Sequence, residues 1–321
     1  MKKIISNVMK NVIPTKTIEK SKKEIAEAAL GLVEKEITKF PEIIGLEFGG
    51  SFAKGTWLSK DADKFERISK KIGFDSLKKF SPYVRYSEHP YVEAKMKGTK
   101  INVVPFYDVK IGEWKSAADR SPFHTKFMSK SLTPKMRDEV RILKTFLKAN
   151  QIYGAEIAKQ GFSGYISEVL ILHFGSFENT IKSISKIEEN QVIGKTSKKF
   201  DTSLVVIDPI DSNRNLAAAI SDENIGKFIL VCRAFKENPK IEFFKNKKSK
   251  TSTKYWENLL SIKFSFKTRS PDIIWGQVKR ATSSLSTQLE LAGFTVLRSK
   301  AYADQKDAHL FFFLESTKIS N

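Results

Sequence analysis

The apolar run Ile43-Ile44-Gly45-Leu46-Glu47-Phe48 leads into Gly49-Gly50-Ser51, and the acidic residues Asp61 and Asp63 follow closely. A strand that opens into a glycine turn is an active-site architecture as well as an ordinary connection. Backbone N–H groups at Gly50 and the Ser51 hydroxyl can approach a phosphate there. Carboxylates spaced i, i+2 share one face of a strand, where they can hold divalent cations. A triphosphate and its metal ions need both features, so the stretch points to nucleotidyl transfer.

Charge points the same way. Lys plus Arg number 56 against 36 Asp plus Glu, a net charge of +20, which attracts polyanions and puts nucleic acid first among partners. Solubility alone is the plainer use of such a surplus. With 321 residues, 40% of them hydrophobic, the chain can form two or three compact domains. The single cysteine, Cys232, lies in the apolar run Phe228–Cys232; it rules out an intramolecular disulfide and reads as core in a reducing compartment. The basic start Met1–Ile5 lacks an adequate apolar region after it, and no run approaches the ~20 apolar residues of a membrane span. The expected location is the cytoplasm, with no membrane partner.

Thr15–Lys39 carries apolar residues at helical spacing and ends before Pro41. Ile43–Phe48 reads as a strand, Lys64–Ile72 as helix, and Tyr91–Met96 and Lys100–Phe106 as strands joined at Lys97-Gly98. Beyond Pro134 the pattern turns helical, with Arg137–Ala149 amphipathic and Ile166–Phe174 more buried. Leu204–Ile207 reads as a strand stopped at Asp208-Pro209, Asn215–Ile220 as a new helix, and Lys245–Lys254 as a linker. Strand Leu259–Phe266, helix Pro271–Leu291 and strands Phe294–Ala301 and His309–Leu314 complete the chain. Their β-α-β-β order is that of an unfinished ferredoxin-like or RNA-recognition sheet.

Several motifs occur in a fixed order: GGSFAKGTWL at Gly49–Leu58, HPYVEA at His89–Ala94, INVVPFYDV at Ile101–Val109 and SAADRSPFH at Ser116–His124. EVRILKTFLK at Glu139–Lys148, IYGAE at Ile152–Glu156, GFSGY at Gly161–Tyr165 and IDPIDSNRNLAAAIS at Ile207–Ser221 continue the series. As an ordered set spanning most of the chain, they resemble the archaeal-type (class I) CCA-adding enzymes, tRNA nucleotidyltransferases of the polymerase-β superfamily.

The resemblance implies an α+β multidomain protein. A polymerase-β-like nucleotidyltransferase head would span 1–137, a helical neck 138–203, a small body 204–250 and an incomplete ferredoxin-like or RNA-recognition-like tail 251–321. It implies template-independent addition of CMP and AMP, from CTP and ATP, to the tRNA 3′ end, with the acceptor arm as partner. Ser51 and Lys54 would grip the triphosphate, Lys144 and Tyr153 would add phosphate and sugar contacts, His124 would accompany them, and Arg214 would read the base edge. Read alone, Lys144 between Arg141 and Lys148 fits a solvated helix face as well as a phosphate contact, and Tyr153 and Tyr165 fit core aromatics equally well. Two Mg²⁺ ions are implied, held by Asp63, with Asp61 as a substitute neighbour and Asn102 where the family commonly has Asp.

The chain departs from that pattern after Asp63. The family continues as an apolar strand bearing a second acid, whereas this chain passes to Lys64-Phe65-Glu66-Arg67-Ile68-Ser69-Lys70-Lys71, about a dozen residues short. An amide at Asn102 can coordinate a hard cation but brings no charge. Two alternatives follow: a tRNA-binding derivative weak or inactive in catalysis, and a poly(A)-type enzyme making long homopolymers. A homodimer through tail or body is left open.

Overall fold

The computed structural model describes the chain except for Glu42, residues 57–68 and 87–89, Pro105, residues 247–255, Thr268, Ser270, Gln305 and residues 319–321. It divides into two compact units: Met1–Ala155 with Lys159–Lys247, and Lys248–Asn321 with Glu156–Ala158. No helix among the described residues is long and apolar enough to cross a membrane.

The first unit begins with α1 (Lys2–Val12) and α2 (Lys16–Ile37), the latter capped by Thr15, whose side chain accepts from the Ile18 N–H. After α3 (Gly50–Lys54) and α4 (Ser69–Ser76), strands β1 (Tyr83–Tyr86), β2 (Pro90–Met96) and β3 (Thr99–Val103) form an antiparallel sheet in that order. Lys97 and Gly98, both at positive φ, make the two-residue turn between β2 and β3. Ile25 and Ala29 of α2 pack with Met96 and Ile101, and Gly73 of α4 approaches Val92 so closely that a Cβ would lie 2.6 Å from it. These helices therefore cover one face of the sheet. Glu93 and Asn102, register partners, occupy the opposite face.

One sequence expectation fails here, and a second can be followed only in part. Ile43–Phe48 forms no strand: it pairs with none among the described residues, and Ile44 is 79% exposed. Its residues instead border a cleft of about 530 Å³ with Val33, Ile72 and Val103. An apolar run becomes a strand only beside a neighbour that meets its N–H and C=O groups, and the run itself does not encode that neighbour. Of the expected helix Lys64–Ile72, the part up to Ile68 lies outside the described residues, and the remainder belongs to α4.

A helical layer follows: α5 (Arg120–Ser131), α6 (Pro134–Ala149), α7 (Gly164–Phe174) and α8 (Phe177–Ile184). Thr133 caps α6 with Pro134 at its first position, and Ser163 caps α7. Next come β4 (Gln191–Ile193), β5 (Leu204–Asp208) and β6 (Asp211–Asn215), with β5 central, and α9 (Asp222–Glu237). Phe146, Phe162, Phe177, Phe228, Phe235 and Cys232 are buried in the shared core, and burial raises the Cys232 thiol well above its ordinary pKa. The helix expected at Asn215–Ile220 is not formed. The Asn215 carboxamide accepts from the Val206 and Ala217 N–H groups and donates to Thr202 Oγ1 and the Leu204 carbonyl, closing the β5–β6 corner. Helix resumes only after Ser221 caps α9.

The second unit contains β7 (Leu259–Ser265), α10 (Pro271–Leu291), β8 (Val296–Ala303) and β9 (Asp307–Leu314), with β9 between β7 and β8 and antiparallel to both. Ala308, Leu310, Phe312 and Leu314 are buried on one face of β9 with Ile274 and Val278 of α10.

Candidate active site

Two buried carboxylates organise the candidate site, and neither stood among the residues expected to form it. Glu168 lies on α7, 1% exposed. Lys54 Nζ of α3 donates to its Oε2 at 2.5 Å, Thr56 Oγ1 donates to its Oε1 at 2.5 Å, and Lys144 Nζ of α6 reaches Oε1 at 3.2 Å. Lys144 also donates to the Thr56 carbonyl at 3.0 Å and to Thr56 Oγ1 at 3.3 Å, so each of its three N–H groups has a partner. Burial alone would raise the Glu168 pKa, but the charges of Lys54 and Lys144 and the hydrogen bonds from Lys54 and Thr56 bring it down to about 2.

Asp208 at the end of β5 is the second centre. Its Oδ2 accepts from His124 Nε2 at 2.8 Å and Arg214 Nη1 at 3.0 Å, while Oδ1 accepts from Tyr165 Oη at 2.9 Å and the Ile210 N–H at 3.1 Å. Burial opposes ionisation of Asp208, yet the hydrogen bonds from His124, Ile210 and Tyr165 leave its pKa below the usual carboxylate value. Burial lowers the His124 pKa more than Asp208 restores it, so a neutral imidazole donates through Nε2. The His124 and Tyr165 rings stack at 3.9 Å, and Lys54 Nζ sits 5.3 Å from the Tyr165 ring centre, joining the two centres.

Glycines permit this convergence. Gly55, at φ +64°, lies against Arg137 of α6, where a Cβ would come within 3.3 Å of Arg137 Cδ. A Cβ at Gly164 would meet Tyr153 Oη at 3.0 Å and Lys144 Nζ at 3.4 Å, so its missing side chain lets these two groups share the start of α7. Lys148 Nζ stands 4.9 Å from the Tyr153 ring centre.

Lys54, His124, Lys144, Tyr153 and Arg214 are thus brought together. Gly50, at φ +67°, opens α3, and the Ser51 carbonyl accepts from the Thr56 N–H at 3.0 Å, which links the glycine turn to Glu168 through Thr56. Lys144 is buried, unlike the solvated face its basic neighbours indicate. Asp61 and Asp63 lie outside the described residues. Thr56, Glu168 and Asp208 were not expected among the site residues, and Tyr165 was weighed only as a core aromatic. A usable signal was present for Glu168, a carboxylate inside the apolar helix Ile166–Phe174, since a buried carboxylate requires a cation or several donors.

A divalent cation would need oxygen donors. Among the described residues, no group of three His, Cys, Asp or Glu side chains is placed to hold one. Asn102 is 2% exposed and its Oδ1 has no hydrogen-bond partner, an unmet acceptor of the kind a hard cation takes. Glu93 opposite is engaged, accepting from Tyr83 Oη and lying 3.6 Å from Lys100 Nζ. Among the described residues Asn102 thus offers one unmet neutral oxygen, with no set of ligands assembled around it.

The family model for the second domain of tRNA nucleotidyltransferase matches residues 138–245, and that for the C-terminal domain of CCA-adding enzyme matches residues 257–321. The CCA-adding enzyme of Saccharolobus shibatae is 34% identical over 334 residues, covering 98% of this chain and 79% of its own. That of Pyrobaculum islandicum is 32% identical over 337 residues, covering 99% and 80%. The solved structure of Cid1 in complex with its short product ApU aligns with a TM-score of 0.57 at 11% identity, over 76% of this chain and 98% of its own. The fold is that of the polymerase-β-like nucleotidyltransferases. Within that class, the near full-length identity is decisive: the chain belongs to the archaeal CCA-adding enzymes. The Saccharolobus alignment has 334 positions against 321 residues here, so the relative carries at least 13 residues without a counterpart in this chain.

Proposed function

We propose that this chain adds CMP and AMP, from CTP and ATP and without a nucleic-acid template, to the 3′ end of tRNA in the cytoplasm. The observation that carries the reading is the convergence of Lys54, Lys144, His124, Tyr153 and Arg214 on two buried carboxylates, in a chain whose relatives over nearly its whole length are CCA-adding enzymes. Those relatives favour the enzyme, and nothing supports the inactive derivative.

Gly50, Ser51 and Lys54 would receive the triphosphate. Among the described residues Lys54 donates to one carboxylate, Glu168, and an ammonium has two further N–H groups for phosphate oxygens. Lys144 adds charge at the same point and, through Thr56, fixes the end of the glycine turn. Arg214, its side chain 37% exposed, keeps part of its guanidinium fork for a base edge while Asp208 sets its direction. Tyr153 closes the sugar side, and neutral His124 holds Asp208 and stacks on Tyr165. Asp63, Asp61 and Asn102 would hold Mg²⁺. That ion, when bound, would neutralise the phosphates and favour attack of the tRNA 3′ hydroxyl on the α-phosphate, with pyrophosphate leaving. With the head at 1–137, the acceptor arm would be gripped through phosphates and helical shape by basic groups of a neck at 138–203, body at 204–250 and tail at 251–321.

The test is Mg²⁺-dependent addition of radiolabelled CMP and AMP to a tRNA lacking its terminal CCA, with products sized on a gel. Three defined additions are expected. Intact tRNA binding without incorporation would establish the inactive derivative, and long homopolymers a poly(A)-type enzyme. Asp63→Ala should reduce activity more than Asp61→Ala; equal or reversed losses would overturn this assignment of the metal ligands.

A further inference from the structure

We propose that the face of the β7-β9-β8 sheet turned away from α10 is a stacking platform for unpaired RNA nucleotides, a second binding site of the chain. Residues alternate across β9: Ala308, Leu310, Phe312 and Leu314 are buried toward α10, which leaves His309, Phe311 and Phe313 on the other face, each half-buried. The His309 and Phe311 rings are parallel to within 8°, with centres 6.1 Å apart. Cross-strand register places Lys263 opposite His309 from β7, and Lys300 opposite Phe311 and Arg298 opposite Phe313 from β8. Among the described residues the one carboxylate on this face is Asp307, already engaged by Lys263 at 3.2 Å and by Ser265 Oγ at 2.6 Å.

The pattern selects its occupant. A sheet face kept for a protein core would carry aliphatic residues without flanking charge, and a purely electrostatic patch would not place aromatic rings along its central strand. Rings in the centre with cations at both sides match bases that stack and phosphates that pass alongside, and every base has a π face, so this recognition tolerates sequence. Paired RNA hides its base faces, which points to unpaired nucleotides.

The test uses the full chain and a 5′-fluorescein-labelled oligouridine octamer, followed by fluorescence anisotropy at fixed salt. Phe311→Leu with Phe313→Leu keeps apolar bulk and removes the rings; affinity should fall about tenfold or more, given the usual worth of base–aromatic stacking. An abasic oligomer of equal charge should bind wild type and variant alike. A 4-thiouridine octamer irradiated on the wild-type chain should crosslink within His309–Phe313, which decides the matter even if the double variant folds poorly. Unchanged affinity in a folded variant, or crosslinks confined to residues 1–245, would overturn the platform. So would a wild-type dimer in sedimentation that the leucine variant dissociates, since the face would then belong to a second copy. CCA addition is measured separately, so failure of the platform leaves the enzymatic reading standing.

Discussion

The basic side chains around Glu168 and those on the tail sheet carry the same charge in opposite settings. Lys54 and Lys144 are 5% and 1% exposed and fixed to a carboxylate held by α7. Lys263 and Lys300 are exposed, on strands beside half-buried rings. A buried ion pair costs several kcal/mol of desolvation per ion, recovered only when geometry and hydrogen bonds are complete. An exposed pair gains little and is screened by salt. The first setting holds atoms in place for a small ligand of defined shape, whereas the second suits a polymer whose bases and phosphates vary in position.

The sharpest way to break this contrast is Glu168→Ala, which leaves Lys54, Lys144 and Thr56 facing a buried vacancy. Loss of one partner from a buried pair should cost about 3–5 kcal/mol, read from urea denaturation. Adding Lys54→Met should recover part of the loss, because it removes one unmatched charge. A loss below about 1 kcal/mol in the single variant would show that the cluster is wet and no different in kind from the tail surface.

Acid gives a slightly smaller effect at the same place. The Glu168 pKa is about 2 in the fold against an ordinary 4.5, so the unfolded chain takes up its proton first as pH falls. The stabilisation is complete above about pH 5 and disappears as pH drops toward 2, about 3 kcal/mol in all. Asp208, also lowered, acts in the same direction. His124 begins the decline earlier: its folded pKa lies below 6.5, so the unfolded state binds the proton first as pH passes through 6.5. Urea midpoints between pH 7 and pH 4 should fall in the wild type, and Glu168→Gln should flatten the acid part of that curve. An unchanged slope in the variant would remove Glu168 from the account.

The same contrast explains what the sequence disclosed. The tail was legible almost throughout, because Pro271–Leu291 has helical spacing and His309–Leu314 is a short apolar run of strand length, both local properties; which of its residues are buried emerges only in the fold. Lys54, His124, Lys144, Tyr153 and Arg214 were legible only through ordered motifs; no spacing shows that residues this far apart meet. Glu168 and Asp208 escaped because one resembles a stray charge in an apolar helix and the other a strand terminator. Ile43–Phe48 misled because its pattern is that of a strand, while pairing depends on a neighbouring segment. Asn215–Ile220 misled because the Asn215 carboxamide bonds to four backbone and side-chain groups that helix propensity does not count.

Asn102 sharpens the comparison in a third way, since it is buried as deeply as Glu93 beside it but brings no charge. Asn102→Asp should lower the Mg²⁺ concentration giving half-maximal CCA addition by about tenfold, the scale on which metal affinity responds to a change at the site. Asn102→Leu should raise that concentration while improving stability slightly, because it removes an unmet buried acceptor. An unchanged Mg²⁺ requirement in both variants would place the metal away from β3.

The smallest effect belongs to the tail. Lys300→Ala removes an exposed cation from β8, and the urea midpoint should move by no more than about 0.5 kcal/mol. Its consequence should appear only against polyanions: the dependence of oligouridine affinity on salt should lose about 0.7 in log–log slope for the phosphate contact removed. A stability loss above about 1 kcal/mol with an unchanged salt slope would make Lys300 a structural cation like Lys144. The distinction between a charge that holds the fold and one that waits for a ligand would then fail on this face.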